Sequence, residues 1–420
     1  MHPLANPLSD RRIVLCVAGG IAAYKSVELL RLLTKAGASI QVAMTRSATE
    51  FVGALTFQTL SGHRVFTDLF DNQQDAEIGH IRVADGADLI IVAPATANVL
   101  ARITAGMAND PVTAAVIASR APILIAPAMN VNMWATAAVQ ANVETLGARG
   151  MYFVGPEQGF LACKWTGAGR LSEPADITEA AARVLCPKDL SGMKIVVSAG
   201  GTQEALDPVR FLGNRSTGKM GFALSRAASR RGAEVTLVHG PTNAVPNTGA
   251  TNVPVRSAQQ MSEAIALACD GADMVIMAAA VADYRPATVE SNKLKKASFG
   301  ASPSLPLERT EDILAKLGAE RVGANPFLVG FAAETENLEE AARQKLTRKR
   351  CGSWKSVRKR CDMIVGNNVS LSDRGFGSDE NAVEIFAASG RRASVPLASK
   401  DSIAHEILDH ALLEMSKGQS

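Results

Sequence analysis

Two short apolar runs, about 180 residues apart, each end in Ala-Gly-Gly ahead of a helical pattern: Ile13-Val-Leu-Cys-Val-Ala-Gly-Gly20 and Lys194-Ile-Val-Val-Ser-Ala-Gly-Gly201. A parallel strand buried on both faces reads as a continuous β-branched run. Glycines at its carboxyl end let the backbone approach a phosphate held on the N-terminus of the next helix. One such element is weak, because Gly-rich strand ends occur in many α/β folds. Two, each heading a half of suitable length, predict two nucleotide-type domains in tandem.

The rest of the chain agrees with that reading. At 420 residues it exceeds one ordinary core and suits two domains of about 200. It is 47% hydrophobic but only 5% aromatic, the balance of close-packed α/β layers and not of a β-sandwich. A net charge of +3 does not point to nucleic acid. No apolar stretch has the length of a membrane span, and the first residues lack a signal-peptide pattern. The cysteines at 16, 163, 186, 269, 351 and 361 form no C-x-x-C pair and no zinc spacing. That excludes a disulfide framework and fits a cytoplasmic enzyme, with Cys16 and Cys269 as small core residues.

Apolar runs predict strands at 13–18, 39–44, 88–93 and 122–126, with helices near 22–36 and 96–106. A second series is expected at 194–199, 233–238, 273–279, 326–331 and 362–366. Repeated βαβ units give a parallel sheet with helices on both faces. Polar turn chemistry at 187–193 sets the expected boundary, giving domains 1–190 and 191–420. Residues 155–170, with four glycines, read as a loop serving as a binding flap. Residues 240–254 and 286–306 read as connections, the second a basic loop with Lys293, Lys295 and Lys296.

In open parallel sheets ligands bind beyond the carboxyl ends of the strands. Residues 19–20, 45–47, 94–98 and 127–130 fall there if the strands are right, with His80 ahead of one strand and Cys163 in the flap. Taken singly, a lone His is more often a packing residue and a loop Cys more often inert. Together they define a site. The segments Gly19-Gly-Ile-Ala-Ala-Tyr-Lys25, Pro94-Ala-Thr-Ala-Asn98, Pro127-Ala-Met-Asn-Val-Asn-Met-Trp134 and Gly167-Ala-Gly-Arg170 resemble the signatures of the flavin-dependent cysteine decarboxylases, over essentially all of residues 11–183.

That resemblance implies a flavodoxin-like domain holding FMN. The phosphate would lie near Gly20, Thr45 and Ser47, with Thr96 and Asn98 also beside the flavin. It further implies His80 as the active-site base, Asn130 as the holder of the substrate carboxylate and Cys163 as the proton donor. A carbanion left by loss of CO₂ from a cysteinyl group needs delocalisation, which oxidation of the thiol to a thioaldehyde would provide. His suits thiol deprotonation near neutral pH, and an Asn amide suits a carboxylate. One departure is visible: Lys164-Trp165 follow the cysteine where the family has small or acidic residues.

The second half carries Ser198-Ala-Gly-Gly-Thr-Gln-Glu204, the run from Asp207 to Gly221, Ala278-Ala-Ala-Val-Ala-Asp-Tyr284, Lys293-Leu-Lys-Lys296 and Gly330-Phe-Ala-Ala-Glu-Thr335. These resemble the phosphopantothenate–cysteine ligase domain that is fused to such decarboxylases in the bifunctional proteins of bacterial coenzyme A biosynthesis. The implied chemistry joins 4′-phosphopantothenate to L-cysteine. CTP activates the carboxylate as an acyl-cytidylate, with Mg²⁺ and cationic side chains neutralising the triphosphate. Asp283 would stand on the metal side, Lys293 would meet phosphate, and Phe331 would pack by the base. Arg210 and Asn214 would contact phosphopantothenate and the acyl intermediate. The relatives' trimeric decarboxylases and dimeric ligases imply a dodecamer.

The family pattern breaks at 345–361, where K-x-x-R-K-R-C occurs twice, ten residues apart. The lysine pair that meets the triphosphate is Lys345 and Lys349 counted from Phe331, or Lys355 and Lys359 counted back from the strand at 362. Ten residues at 3.6 per turn leave the copies roughly 80° apart, so they cannot share one helical face. Two other classes fit the sequence less well. A two-domain NAD-dependent oxidoreductase is disfavoured because neither Gly-Gly turn extends to G-x-G-x-x-G with an acid about 20 residues on. A flavin-binding regulatory protein without turnover is disfavoured because His80, Asn130 and Cys163 occur together.

Overall fold

The computed structural model of the chain describes residues 2–69, 85–160, 165–245, 247–295, 304–321, 323, 325–334, 339–340, 346, 361–368 and 377–417. His80, Cys163, Lys296 and the four lysines at 345, 349, 355 and 359 lie outside them. The chain divides into two compact units, Asn6–Cys186 and Pro187–Ser420 with Met1–Ala5. Among the described residues no helix is long and apolar enough to cross a membrane.

In the Asn6–Cys186 unit the strands are β1 (Arg12–Val17), β2 (Ser39–Met44), β3 (Val65–Phe66), β4 (Leu89–Ala95), β5 (Ile123–Pro127) and β6 (Tyr152–Phe153). They form one parallel sheet in the order β3-β2-β1-β4-β5-β6. Without the two-residue edge strand β3, the remaining five run in the flavodoxin order, with the switch point between β1 and β4. Alternate residues of β1 explain the two-sided burial. Ile13, Leu15 and Val17 join one core, while Val14 and Cys16 join another across the sheet.

The helices of this unit are α1 (Lys25–Lys35), α2 (Ala54–Ser61), α3 (Ala97–Thr104), α4 (Pro111–Ala118), α5 (Val131–Trp134), α6 (Ala137–Ala148) and α7 (Pro174–Leu185). In α1 the buried residues Ser26, Leu29, Leu30 and Leu33 recur at helical spacing. Ser26 Oγ donates to Ala93 O at 2.7 Å, tying the start of α1 to the end of β4. Residues 155–170, expected as a loop, contain the antiparallel strands β7 (Glu157–Phe160) and β8 (Thr166–Arg170). The glycines serve close approach. A Cβ on Gly169, which has φ +148°, would lie 2.4 Å from Met129 O, and Gly169 O accepts from Met129 N at 2.9 Å.

The second unit has β9 (Lys194–Ala199), β10 (Gln203–Ala205), β11 (Phe211–Gly213), β12 (Glu234–His239), β13 (Thr251–Pro254), β14 (Met274–Met277), β15 (Tyr284–Pro286), β16 (Leu307–Arg309), β17 (Phe327–Glu334), β18 (Met363–Asn368), β19 (Glu380–Ala387) and β20 (Arg392–Ser399). Its main sheet runs β13-β12-β9-β14-β17-β18-β19-β20, parallel except that β19 runs opposite to both its neighbours, β18 and β20. The helices are α8 (Lys219–Arg230), α9 (Ala258–Ala268), α10 (Ile313–Glu320) and α11 (Lys400–Lys417). One core holds Phe222 and Leu224 of α8 with Ile403, Ile407 and Leu408 of α11; the opposite core holds Ile265 and Leu314.

Both strand series expected from the sequence are present, their ends differing by no more than three residues. Two further expectations fail: residues 240–254, expected as a connection, hold β13 at Thr251–Pro254, which pairs with β12. The second Ala-Gly-Gly does not run into a helix. Gly201 makes a parallel bridge to Ala280, the antiparallel pair β10 and β11 follows, and α8 starts only at Lys219. Side-chain chemistry holds that detour: Thr202 Oγ1 accepts from Ala282 N at 2.9 Å, and Glu204 Oε1 accepts from Ala258 N at 2.8 Å.

Candidate functional sites

The carboxyl ends of β1, β2, β4 and β5 enclose a cavity of about 700 Å³. Its lining includes Gly20, Thr45, Ser47, Thr96, Asn98 and Asn130, six residues chosen from the sequence and drawn from four separate strand ends. Local structure fixes each. Thr45 Oγ1 accepts from Ala48 N at 3.3 Å and lies 3.2 Å from Ser47 Oγ. Thr96 caps α3 through Val99 N at 3.4 Å. Asn130 caps α5, its Oδ1 accepting from Asn132 N at 2.8 Å, which sets the orientation of its amide.

At the β1 end, Gly20 precedes a short 3-10 turn, Ile21–Tyr24, and supplies no side-chain cap to it. Close packing explains the neighbouring glycine, since a Cβ on Gly19 would lie 2.3 Å from Ser47 Oγ. Uncapped N–H groups beside two hydroxyls make a donor set suited to a phosphate monoester. Most of the remaining lining is apolar, including Ile21, Val99, Met129 and Met133. That combination fits a flat, largely apolar group carrying one phosphate, as FMN is. Lys25 and Arg170 also line the cavity, and both pair with Glu173. The Lys25 hydrogen bond holds the Glu173 carboxyl below its ordinary value.

In the second unit a cavity of about 490 Å³ lies at the carboxyl ends of β14, β17 and β18. Asn214 Nδ2 donates to Ala280 O at 3.1 Å and Val281 O at 3.3 Å, tying the loop before α8 to the loop after β14. Thr310 N donates to Asp283 O at 3.0 Å and positions that residue at the rim. Asn214, Asp283 and Phe331 all line the cavity. Arg210 and Lys293 do not. Arg210 Nε donates to Asp207 Oδ2 at 2.9 Å and its Nη2 to Leu294 O at 2.7 Å. Burial would raise the Asp207 carboxyl, but Arg210 and three backbone N–H groups hold it well below the carboxylate range. The guanidinium thus clamps the run 207–210 to residue 294.

Sequence reasoning missed several side chains of this cavity, among them Lys219, Asn367, Asn381 and Lys400. Asn367 Oδ1 is buried with no hydrogen-bond partner among the described residues. No local motif marks Lys400, which starts α11 about 180 residues after Lys219 and meets it only through the fold. Cys16 is the inert core thiol expected, buried and raised by burial, whereas Cys269 is half-buried at the end of α9.

These features define a class: two tandem doubly wound units, each with a cavity at the carboxyl ends of its parallel strands, the first built as a flavoprotein. Residues 2–185 match the family described as Flavoprotein, and residues 190–414 match the DNA/pantothenate metabolism flavoprotein C-terminal domain. The chain is 45% identical over 417 residues to the coenzyme A biosynthesis bifunctional protein CoaBC of Bacillus subtilis (strain 168), covering 98% of this chain and 99% of that one. It is 43% identical over 404 residues to the protein of the same name from Escherichia coli (strain K12), covering 96% and 97%. Among solved structures, the C-terminal domain of a CoaBC protein is 39% identical, covering 56% of this chain and 100% of that one with a TM-score of 0.45. The chain belongs to the family of bifunctional coenzyme A biosynthesis enzymes.

Proposed function

We propose that residues 191–420 ligate 4′-phosphopantothenate to L-cysteine using CTP, and that residues 1–190 decarboxylate the product to 4′-phosphopantetheine using FMN. The observation carrying this reading is the convergence of Gly20, Thr45, Ser47, Thr96, Asn98 and Asn130 on one cavity, in a chain similar to its relatives over nearly its full length. Bound FMN would supply the two-electron chemistry that makes loss of CO₂ from a cysteinyl carboxylate feasible. Gly20, Thr45 and Ser47 would hold its phosphate, and Thr96 and Asn98 would flank it. Asn130 would orient the substrate carboxylate through its amide, His80 would take the thiol proton, and Cys163 would return a proton to carbon after CO₂ has left.

In the ligase half the carboxylate of 4′-phosphopantothenate would attack the α-phosphorus of CTP, giving acyl-cytidylate and pyrophosphate. The cysteine amine would then displace CMP. Among the described residues no group of three or more His, Cys, Asp or Glu could hold a metal ion. Mg²⁺ would arrive as the CTP complex, with Asp283 as one protein carboxylate, the usual arrangement for a hydrated ion on phosphates. Asn214 would serve the acyl group, Phe331 the base, and Lys293 with one of the pairs Lys345/Lys349 or Lys355/Lys359 the phosphates. Arg210 would act through the 207–210 loop that it clamps. A cytoplasmic dodecamer of decarboxylase trimers and ligase dimers accords with this assignment.

The test is incubation with 4′-phosphopantothenate, cysteine, CTP and Mg²⁺, with products followed by mass. The expected products are 4′-phosphopantetheine, CO₂, CMP and pyrophosphate. Supplied 4′-phosphopantothenoylcysteine should be decarboxylated without CTP. A flavin-loaded preparation that forms neither intermediate nor product would overturn the assignment.

A further inference from the structure

Residues 278–283 join β14 to β15 outside any helix or strand, and all but Ala282 line the C-terminal cavity. Backbone groups of such a segment need partners from elsewhere. Ser198 Oγ accepts from Ala279 N at 3.1 Å, and Gly200 O accepts from Ala280 N at 2.8 Å. Asn214 Nδ2 donates to Ala280 O and Val281 O. Residue 282 is gripped twice. Thr202 Oγ1 accepts from its N–H at 2.9 Å, and Thr310 Oγ1 donates to its carbonyl at 2.5 Å. Thr310 N also donates to Asp283 O at 3.0 Å. Thr202 and Ala282 are 1% and 6% exposed, and neither lines the cavity. Asp283 is exposed, and its carboxylate makes no hydrogen bond or ion pair among the described residues. No partner of its own holds that side chain. Its place is set by its backbone, and the backbone is held by the two threonines.

We propose that Thr202 and Thr310 are positioning residues of ligation. Holding the N–H and C=O of residue 282 from opposite sides, they fix where the Asp283 carboxylate stands for the Mg²⁺ that CTP brings. This rests on the ligase reading above, in which Asp283 is the metal-side carboxylate. Thr202, outside the cavity lining, acts only through residue 282. The group it serves is a buried N–H, so position 202 needs an acceptor, which Ser supplies and Val, of similar shape, does not. A correctly placed carboxylate favours CTP with Mg²⁺ over CTP alone, because it attracts the cation and repels the bare triphosphate. A hydroxyl that merely satisfied a buried N–H would leave that preference unchanged.

The experiment is calorimetric titration of CTP, with and without Mg²⁺, into the full-length, flavin-loaded protein. The variants are Thr202→Val, Thr202→Ser, Asp283→Asn and the double variant of Thr202→Val with Asp283→Asn. The readout is the factor by which Mg²⁺ raises the affinity for CTP, with CMP release in the presence of 4′-phosphopantothenate followed in parallel. Asp283→Asn should lose at least roughly 10-fold of that factor. Thr202→Val should lose roughly 3- to 10-fold, the worth of one hydrogen bond, and Thr202→Ser should keep the wild-type value. The double variant should lose no more than Asp283→Asn alone, because both changes act through one carboxylate. Affinity that falls equally with and without Mg²⁺ in Thr202→Val, or a further loss in the double variant, overturns the proposal. An unchanged factor in Asp283→Asn overturns the metal-side reading of Asp283 and the proposal with it. Wild-type protein that shows the Mg²⁺ effect but releases no CMP overturns the ligase reading alone, and the binding cycle still decides the positioning. Should Thr202→Val fail to fold, Thr310→Val frees the other side of residue 282 and takes its place, with the same expected loss and the same overturning results.

Discussion

Both cavities lie at the carboxyl ends of parallel strands, yet they offer different chemistry. The first meets a ligand with neutral hydroxyls, backbone N–H groups and apolar side chains, and its nearby cations Lys25 and Arg170 both pair with Glu173. The second is lined by Lys219 and Lys400 together with Asp283, Glu311 and Asp312. The difference begins in the chain path after each Gly-Gly. In the first unit the turn enters a 3-10 segment and α1 at once, so backbone donors face the cavity. In the second the β10–β11 detour delays the helix and feeds Asn214–Gly218 into the cavity. The first arrangement suits a cofactor retained through turnover. The second suits charged substrates that enter and leave.

The sharpest division should come from chelation. Removing divalent cations with EDTA should abolish ligation, because an unneutralised triphosphate is poorly stabilised in its transition state. Decarboxylation of supplied 4′-phosphopantothenoylcysteine should continue unchanged. Parallel assays of CMP release and CO₂ release check this, and equal loss of both would show that the two cavities do not differ in metal dependence.

Gly19→Ala probes the first cavity alone. Its Cβ would lie 2.3 Å from Ser47 Oγ and 2.6 Å from the Ser47 carbonyl carbon, so the Thr45–Ser47 turn must shift. Overpacking of this kind costs about 1–3 kcal/mol, or up to roughly 100-fold in flavin affinity. Flavin retained after purification, read from visible absorbance, should fall sharply while ligation stays near wild type. A fully yellow Gly19→Ala protein would remove this strand end from flavin binding.

The converse substitution is Asn214→Asp. The wild-type amide donates to Ala280 O and Val281 O, whereas a carboxylate there would face two carbonyl oxygens and donate to neither. Leaving such groups unmatched costs about 1–3 kcal/mol. Ligation should fall roughly 10- to 100-fold, with decarboxylation and flavin content intact. Loss of flavin from this variant would mean that the cavities are not independent.

How much of this contrast can be read before folding differs between the units. The first cavity is local to strand ends, so Pro94–Asn98 and Pro127–Asn130 announce it through turn chemistry next to apolar runs. Both parallel series were legible for the same reason, since continuous burial leaves a continuous apolar run. The hairpin of β19 and β20 was not, because its half-exposed strands carry charge, as in Glu380-Asn-Ala-Val-Glu-Ile-Phe-Ala387. Gly167 and Gly169 read as loop residues because nothing local reveals the backbone pressed against β8. Lys400 was invisible because only the packing of α11 on α8 brings it to the second cavity.

The smallest effect concerns how the first cavity keeps its cations quiet. Lys25 Nζ lies 3.0 Å from Glu173, and Arg170 shares the same carboxylate. Because the folded carboxyl sits below its ordinary value of 4.5, the pair stabilises the unit above that value, and the contribution drains away as pH falls through the folded one. Glu173→Gln cannot titrate and lacks the contribution at every pH. The variant should therefore be less stable than wild type near neutrality, with the two curves converging in acid. Glu173 is 41% exposed, so the gap should stay within about 1 kcal/mol. Thermal unfolding followed by loss of bound flavin, across pH 3 to 8, would measure it. A gap that widened in acid would mean that Glu173 carries a proton in the folded unit and that Lys25 and Arg170 are not neutralised. The first cavity would then carry unpaired charge and resemble the charged lining of the second.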